Sequence, residues 1–181
     1  MGDNLEMADR GDLAHSGRAS TGRGSASEPS LALPGLLLGV GMGGFVDGIV
    51  LHQILQWHQM LSTTARYGQG TLADVQANVT ADGFFHAATW LFVALGLATL
   101  WRAARGGLSQ QTWRALLGWM LVGWGLFNLV EGVVDHHLLQ VHRVRPDAAT
   151  PLAWDLGFLA LGALLVLVGW LLQRHDHRRR T

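Results

Sequence analysis

The stretch LPGLLLGVGMGGFVDGIVLHQILQW, from Leu33 to Trp57, decides the fold. It is mostly apolar and exceeds the ~20 residues that an α-helix needs to cross the hydrocarbon core of a bilayer. Three more apolar stretches follow, at about residues 84–101, 113–134 and 152–172. The chain is 49% hydrophobic and only 14% charged, a composition typical of membrane proteins. We therefore predict an all-α membrane protein, a bundle of four transmembrane helices over residues 31–173.

Polar segments flank this domain. Residues 1–30 mix both charge signs with many Gly and Ser residues, which predicts a disordered cytoplasmic tail, and residues 174–181 form a basic cytoplasmic tail. Arginines gather in the second connection and at the C-terminus, which places both termini inside a bacterial plasma membrane and the first and third connections outside. These arginines are Arg102, Arg105, Arg114, Arg174, Arg178, Arg179 and Arg180. The formal net charge is zero, which gives no indication of nucleic acid as a partner.

A twelve-residue motif occurs twice. Asp47-Gly-Ile-Val-Leu-His-Gln-Ile-Leu-Gln-Trp-His58 ends the first span, and Glu131-Gly-Val-Val-Asp-His-His-Leu-Leu-Gln-Val-His142 ends the third, with six of the twelve positions identical. A weaker match links the starts of the second and fourth spans, where Asp82 aligns with Asp155. The sequence therefore predicts two repeated helical hairpins, related by a pseudo-twofold axis along the membrane normal.

Glycines at four-residue intervals mark the first span. Gly35, Gly39 and Gly43 form one row, and Gly44 with Gly48 forms another. Small residues at this spacing let helices approach closely in lipid, so we expect these glycines to lie at helix contacts.

Histidines and carboxylates are concentrated in the outer halves of the spans. Ionisable side chains in or beside a span are costly, and they usually face the bundle interior and mark function. The chain has no cysteine, so a metal would be bound through nitrogen and oxygen. The metal ligands that we predict are His52, His136, His86, His58, His142, Asp82 and His137.

Helix geometry sorts these residues by depth. On an α-helix Asp47 and His58 point the same way but lie about 16 Å apart along the axis, so we do not expect them to share an ion. We expect an outer layer, a middle layer with His52, His136 and His86, and a deep acidic pair of Asp47 and Glu131. The outer layer comprises His58, His142, Asp82 and Asp155. The side chains expected to hydrogen-bond and orient the ligands are Gln56, Gln140, Asp135 and Asp155.

Three runs of sequence together resemble a known family. Gly41-Met-Gly-Gly-Phe-Val-Asp-Gly-Ile-Val-Leu-His-Gln-Ile-Leu-Gln-Trp-His58, Asp82-Gly-Phe-Phe-His86 and Glu131-Gly-Val-Val-Asp-His-His137 are similar to an uncharacterised family of predicted bacterial membrane proteins, domain of unknown function 2243. The resemblance covers about residues 34–173. It implies a four-helix bacterial membrane protein and carries no activity, cofactor or catalytic residue.

The function that we favour is a metal-binding centre near the extracytoplasmic face, used for redox chemistry or metal handling. Imidazole with carboxylate suits Zn, Cu or Fe, which the sequence does not distinguish. No nucleophile stands beside a base, so the sequence leaves open whether any reaction is catalysed.

Two alternatives stay open. In the first, His52 and His136 are the axial ligands of a b-type haem in an electron carrier. In the second, the chain is a structural or assembly subunit of a membrane complex, and its histidines only pair helices. Its partner, besides membrane lipid, would then be another membrane protein or a second copy of the chain. A proton pathway through Asp47 and Glu131 is disfavoured, because the inner halves of the spans are almost entirely Leu, Gly and Ala.

Overall fold

The computed structural model of the chain describes residues 30–68, 70–106 and 113–178, with side chains as far as Arg174. Nearly all of the segment predicted as a disordered tail, and Arg179 to Thr181 of the basic tail, lie outside the described residues. The predictions made for them stay predictions.

Four long helices make up the domain. They are α1 (Ala32–Val46), α2 (Leu72–Arg105), α3 (Trp113–Glu131) and α4 (Pro151–Arg178). α1 and α3 continue directly into π-helical segments, π1 (Asp47–Ile54) and π2 (Gly132–Leu138). All four helices are long and apolar enough to cross a membrane, and the described part of the chain contains no strand. The predicted fold class, an all-α membrane protein with four transmembrane helices, is confirmed.

α2 is longer than the apolar pattern predicted. It begins at Leu72 rather than near Phe84, because a capping box fixes its start. The Thr71 hydroxyl accepts a hydrogen bond from the Asp74 amide at 3.2 Å, and the Asp74 carboxylate accepts one from the Thr71 amide at 3.0 Å. Such a reciprocal pair satisfies backbone donors that a helix start leaves free. Part of the predicted outer loop is therefore helix.

Glycines bring the helices into backbone contact. α1 and α3 pack together in the middle of the bundle, α2 packs on α1, and α4 packs on α3. A side chain at Gly39 would overlap the backbone of Met120 on α3, and one at Gly44 would overlap Thr89 on α2. Gly125 of α3 meets Gly162 of α4 in the same way. The predicted close approach of the first span is thus observed with both of its neighbours.

Burial in this bundle is reversed relative to a soluble protein. Large apolar side chains such as Phe84, Trp90 and Leu164 are more than half exposed, as expected for surfaces that face lipid. The largest side chains that are fully buried are all polar: His52, His58, His142, Asn78, Asp82 and Asp155. Polar groups away from water need partners, so this polar interior is where the chemistry of the protein should lie.

The two π-helical segments end in the same way. In each segment, the backbone amide of one residue donates a hydrogen bond to the carbonyl oxygen five residues earlier, which closes the last turn. A glutamine with positive φ then reverses the chain direction. Gln56 has φ 51° and Gln140 has φ 52°, values that residues other than glycine rarely adopt. The two copies of the sequence motif therefore share one backbone form.

Candidate metal centre

Six side chains from the two copies of the motif converge inside the bundle. They come from π1, from the last residue of α3, from π2 and from the turns that follow the two π-helical segments, and none is more than 4% exposed. We call them the six-residue centre: Asp47, His52 and His58 from the first copy, and Glu131, His136 and His142 from the second.

The π-helical backbone explains why the acid and the first histidine of each copy come together. In an α-helix, residues five apart point in different directions. In a π-helix, whose hydrogen bonds run from i to i+5, they lie near one face. His52 Nε2 accordingly lies 3.0 Å from Asp47 Oδ2. Single π-helical turns are rare in proteins overall, but those that occur are frequently found at functional sites.

The turn at Gln56 brings His58 back to the same place. A continuous α-helix would have carried His58 well beyond Asp47 and His52, as the sequence analysis assumed. Instead, the rings of His52 and His58 lie 4.5 Å apart, centroid to centroid. The predicted arrangement in three layers is therefore wrong, because neither copy of the motif is an α-helix over its whole length.

The four imidazoles form one cluster. His58 and His142 are stacked with centroids 4.8 Å apart, and His136 lies 4.9 Å from His142. His52 lies 5.9 Å from His142. The cluster thus joins both copies of the motif at one end of the bundle.

Three groups of these side chains have a geometry that could hold a metal ion. Within each group the potential ligand atoms all lie within 4.8 Å of one another. The groups are His52, His58 and His142; Glu131, His136 and His142; and Asp47, His52 and Glu131. The first and third groups draw on both copies of the motif, whereas the second lies within the second copy. His142 belongs to both of the first two groups, so the groups adjoin one another between the two halves of the protein.

Hydrogen bonds orient the imidazoles toward this space. His58 Nδ1 donates to the carbonyl oxygen of Val144 at 2.8 Å, and a carbonyl accepts only, so Nδ1 carries the proton. His52 Nδ1 likewise lies 3.1 Å from Asp82 Oδ1. In His58, Nε2 is then the unprotonated nitrogen that can bind a metal, an arrangement common among histidine ligands. His52 lies between two carboxylates, because its Nε2 atom is 3.0 Å from Asp47 Oδ2.

Two carboxylates outside the six-residue centre support it. Asp82 accepts from the Met60 amide at 2.9 Å and from the Gln53 side chain at 3.3 Å, besides holding His52. Asp155 lies 3.8 Å from His136 Nδ1 and accepts from the Val144 amide at 3.0 Å. Asp82, one of the predicted metal ligands, belongs to none of the three groups and lies beside His52; that it binds the metal stays a prediction. Asp155 was predicted to orient a ligand, and it lies beside His136.

Several buried polar atoms in the centre have no hydrogen-bond partner. Asp47 Oδ2 and His52 Nε2 lie 3.0 Å apart and pair with each other. Five further atoms have no partner: His58 Nε2, Glu131 Oε2, both ring nitrogens of His136 and His142 Nδ1. Leaving a buried polar group unpaired costs about 1–3 kcal/mol, and native proteins contain few such groups. All five atoms belong to the six-residue centre.

Burial also keeps the two outer histidines neutral. Removal from water lowers the pKa of His58 to about 4, against the opposing effect of Asp47. Burial, reinforced by the neighbouring imidazoles, lowers the pKa of His142 to about 2. A histidine must be neutral to bind a metal, so both rings are suited to that role at physiological pH.

Three residues predicted near the centre lie outside its groups. His86 donates to the carbonyl of Asp82 at 2.7 Å and packs on Phe45 and Phe85. His137 donates to the carbonyl of Gly132 at 2.7 Å. His86, His137 and Asp135 are in none of the three metal-capable groups, because each extends from its helix in another direction.

Gln56 and Gln140, whose side chains were predicted to orient the ligands, lie at the turns that follow the two π-helical segments. Both are exposed, and among the described residues neither side chain is hydrogen-bonded to an imidazole. Their positive φ makes them the points where the chain turns back, so they position His58 and His142 through the backbone.

Sequence reasoning missed three further contributors. Met60 and Val144 supply backbone groups, and Asn78 is fully buried and binds the first loop by accepting from the Leu61 amide at 2.9 Å. Backbone donors leave no mark in a sequence. The five-residue spacing of acid and histidine, present in both copies, could have revealed the π-helices, because it is out of phase with an α-helix.

The comparisons with known proteins gave one match. A family model described as "Predicted membrane protein (DUF2243)" matches residues 34–176. No curated protein and no solved structure matches the chain.

Proposed function

The chain belongs to the DUF2243 family of predicted membrane proteins, and on this premise we propose that it is an integral membrane metalloprotein. Its six-residue centre would hold Zn, Cu or Fe near the extracytoplasmic face of a bacterial plasma membrane, with both termini in the cytoplasm. The bound metal would serve redox chemistry or metal handling at that face.

One observation carries the proposal. Four histidines and two carboxylates, all buried, lie together and leave five nitrogen and oxygen atoms without a partner. A transition metal is the ligand that satisfies imidazole nitrogens and carboxylate oxygens together. The hydrogen bond from His58 to Val144 and the contact between His52 and Asp82 are the supporting interactions that metal-binding histidines usually have.

A purely structural role for the histidines does not explain why buried ring nitrogens lack hydrogen-bond partners. If they only paired helices, their ring nitrogens would bond to groups on the facing helices. His136 instead has neither nitrogen hydrogen-bonded, and its nearest carboxylate oxygen is 3.8 Å away. Such an arrangement costs stability unless something else fills the space.

The close packing of the imidazoles favours an ion over haem. A haem with two axial histidines needs a flat macrocycle between the two rings. Here the rings of His52, His58 and His142 lie 4.5–5.9 Å apart and pack on one another. An ion fits among them without moving the helices, whereas a macrocycle requires them to separate.

The test is elemental analysis of the protein purified in mild detergent, together with its visible spectrum. We expect one or two transition metal ions per chain in the wild type and none in His52→Ala/His136→Ala. His86→Ala is the matched control, because His86 also lies near the centre but is bonded to a backbone carbonyl; it should keep the metal.

A protein that is free of metal as purified, and that takes up no added Zn, Cu or Fe, would overturn the proposal. A Soret band lost in the double variant would select haem instead. Equal metal loss in His86→Ala and in the double variant would mean that the six-residue centre is wrongly assigned.

A further inference from the structure

A large cavity adjoins the six-residue centre on one side of the bundle. Its volume is about 540 Å³, and it lies between α1, α3 and α4. α1 and α4 make no contact with each other in the described part of the chain. At the gap between them, the lining residues Val46, Trp154 and Leu161 are 38–46% exposed. All three belong to the spans, so the cavity opens sideways toward lipid.

The walls of the cavity are aromatic, and its buried end is polar. Trp57, Trp124, Trp154 and Phe158 contribute their rings to the lining. Asp47 and Asn128, which are 4% and 2% exposed, also line it. Of the six residues of the centre, Asp47 is the one that reaches this cavity. Apolar cavities of this size with a few buried polar groups are typical small-molecule sites.

We infer that the cavity binds a phenol or quinol dissolved in the bilayer, with its ring among the aromatic side chains and its hydroxyl donating to Asp47. This inference rests on the proposed function, since it places the occupant beside the proposed metal centre. Flat rings pack well between aromatic side chains.

The Asp47 carboxylate favours an occupant with a hydroxyl group over a lipid acyl chain. This carboxylate lines the buried end of the cavity. Besides the contact of Oδ2 with His52 Nε2 at 3.0 Å, the carboxylate keeps lone pairs that can only accept. An acyl chain in the cavity would leave the polar end unsatisfied, whereas a phenolic hydroxyl supplies a donor. Hydrogen bonds to charged groups are the stronger ones, so the hydroxyl should decide affinity.

The sequence of the two halves differs at the cavity. Gly43, four residues before the first copy of the motif, lines the cavity. Its counterpart Phe127, four residues before the second copy, carries a ring that packs against Phe85 with centroids 6.1 Å apart.

The test measures quenching of tryptophan fluorescence by 3-bromo-4-pentylphenol, whose bromine quenches nearby indoles. Purified protein in detergent is titrated with this phenol and, separately, with its methyl ether, which lacks the donor. Gly157→Leu is the blocking variant, because Gly157 lines the cavity and has open space where a side chain would start. Gly83→Leu is the control, because Gly83 has equal open space but lies on α2, outside the cavity lining.

We expect saturable quenching by the phenol in the wild type and in Gly83→Leu. Gly157→Leu should bind the phenol at least tenfold more weakly than the wild type does. The wild type should bind the methyl ether about tenfold more weakly than it binds the phenol. Unchanged affinity in Gly157→Leu would overturn the inference. So would equal binding of the ether, which would assign the cavity to any apolar molecule, lipid chains included. Metal content is measured in the same samples. A lack of metal would count against the proposed metal centre, whereas the quenching data test phenol binding in the cavity independently of the metal.

Discussion

In the first copy of the motif His52 lies 3.1 Å from Asp82, whereas in the second copy His136 lies 3.8 Å from Asp155. The backbones match, and each supporting carboxylate accepts one backbone amide, from Met60 or from Val144. Arg143 lies 3.4 Å from Asp155, so Asp155 has a cationic neighbour besides His136. The same motif therefore places a carboxylate closer to its first histidine in one half than in the other.

The largest effect should come from removing an imidazole of either half. His58 and His136 belong to two different metal-capable groups, which share His142. If both groups act as one centre, His58→Ala and His136→Ala should each lower metal affinity by more than the about 10–100-fold that loss of a supporting partner causes. Competition titration with a chelator of known affinity measures this. If one of the two variants kept wild-type affinity, the ion would be bound without the group to which that histidine belongs.

Removing the charge of the supporting carboxylate should weaken metal binding more in the first half of the protein than in the second. Asp82→Asn removes the charge that orients His52 and should weaken metal binding about 10–100-fold. Asp155→Asn should have a smaller effect, because Asp155 is farther from His136 and is shared with Arg143. The same chelator titration compares them. An equal or larger loss in Asp155→Asn would remove the distinction between the halves.

Arg143→Gln should make the second half resemble the first. Without the guanidinium, Asp155 is free to orient His136, and metal affinity should rise about threefold, a fraction of what a complete supporting partner contributes. Arg66→Gln is the control, because Arg66 packs over Tyr67 in the first loop. A loss of affinity in Arg143→Gln, with Arg66→Gln unchanged, would show that Arg143 supports the centre rather than competing with it.

The two turns should respond alike, because their backbones are the same. Gln56→Gly and Gln140→Gly each relieve a positive φ that costs a residue with a side chain roughly 1–2 kcal/mol. Each should raise the free energy of unfolding in detergent by up to about 1 kcal/mol, since glycine also gives the unfolded chain more freedom. Thermal unfolding followed by circular dichroism measures this. Opposite signs in the two variants would contradict the shared backbone form.

The fold could be predicted from the sequence because lipid imposes a simple rule. A span must be a long apolar helix, and the stretch from Leu33 to Trp57 and its three successors satisfy that rule. α2 begins before the apolar stretch that predicts the second span, because its first turns carry polar residues such as Asp74 and Asn78. A capping box of Thr71 with Asp74 marks its start.

The candidate site could be predicted in composition but not in geometry. The repeated histidines His52 and His136, and the acids Asp47 and Glu131, stand out because polar residues near a span are costly. Their convergence depends on the π-helical backbone and on positive φ at Gln56 and Gln140, which the assumption of α-helices excluded. The roles of Met60 and Val144 depend on backbone groups, which side-chain identity does not report.

X-ray absorption spectroscopy at the metal edge, on the protein purified in detergent or reloaded with Zn, Cu or Fe, tests the central claim most directly. The account predicts one first shell of nitrogen and oxygen at about 2.0–2.2 Å, with the outer-shell scattering of several imidazoles, and its loss in His52→Ala/His136→Ala. Absence of an edge signal after reloading, or a first shell without imidazole scattering, would contradict it.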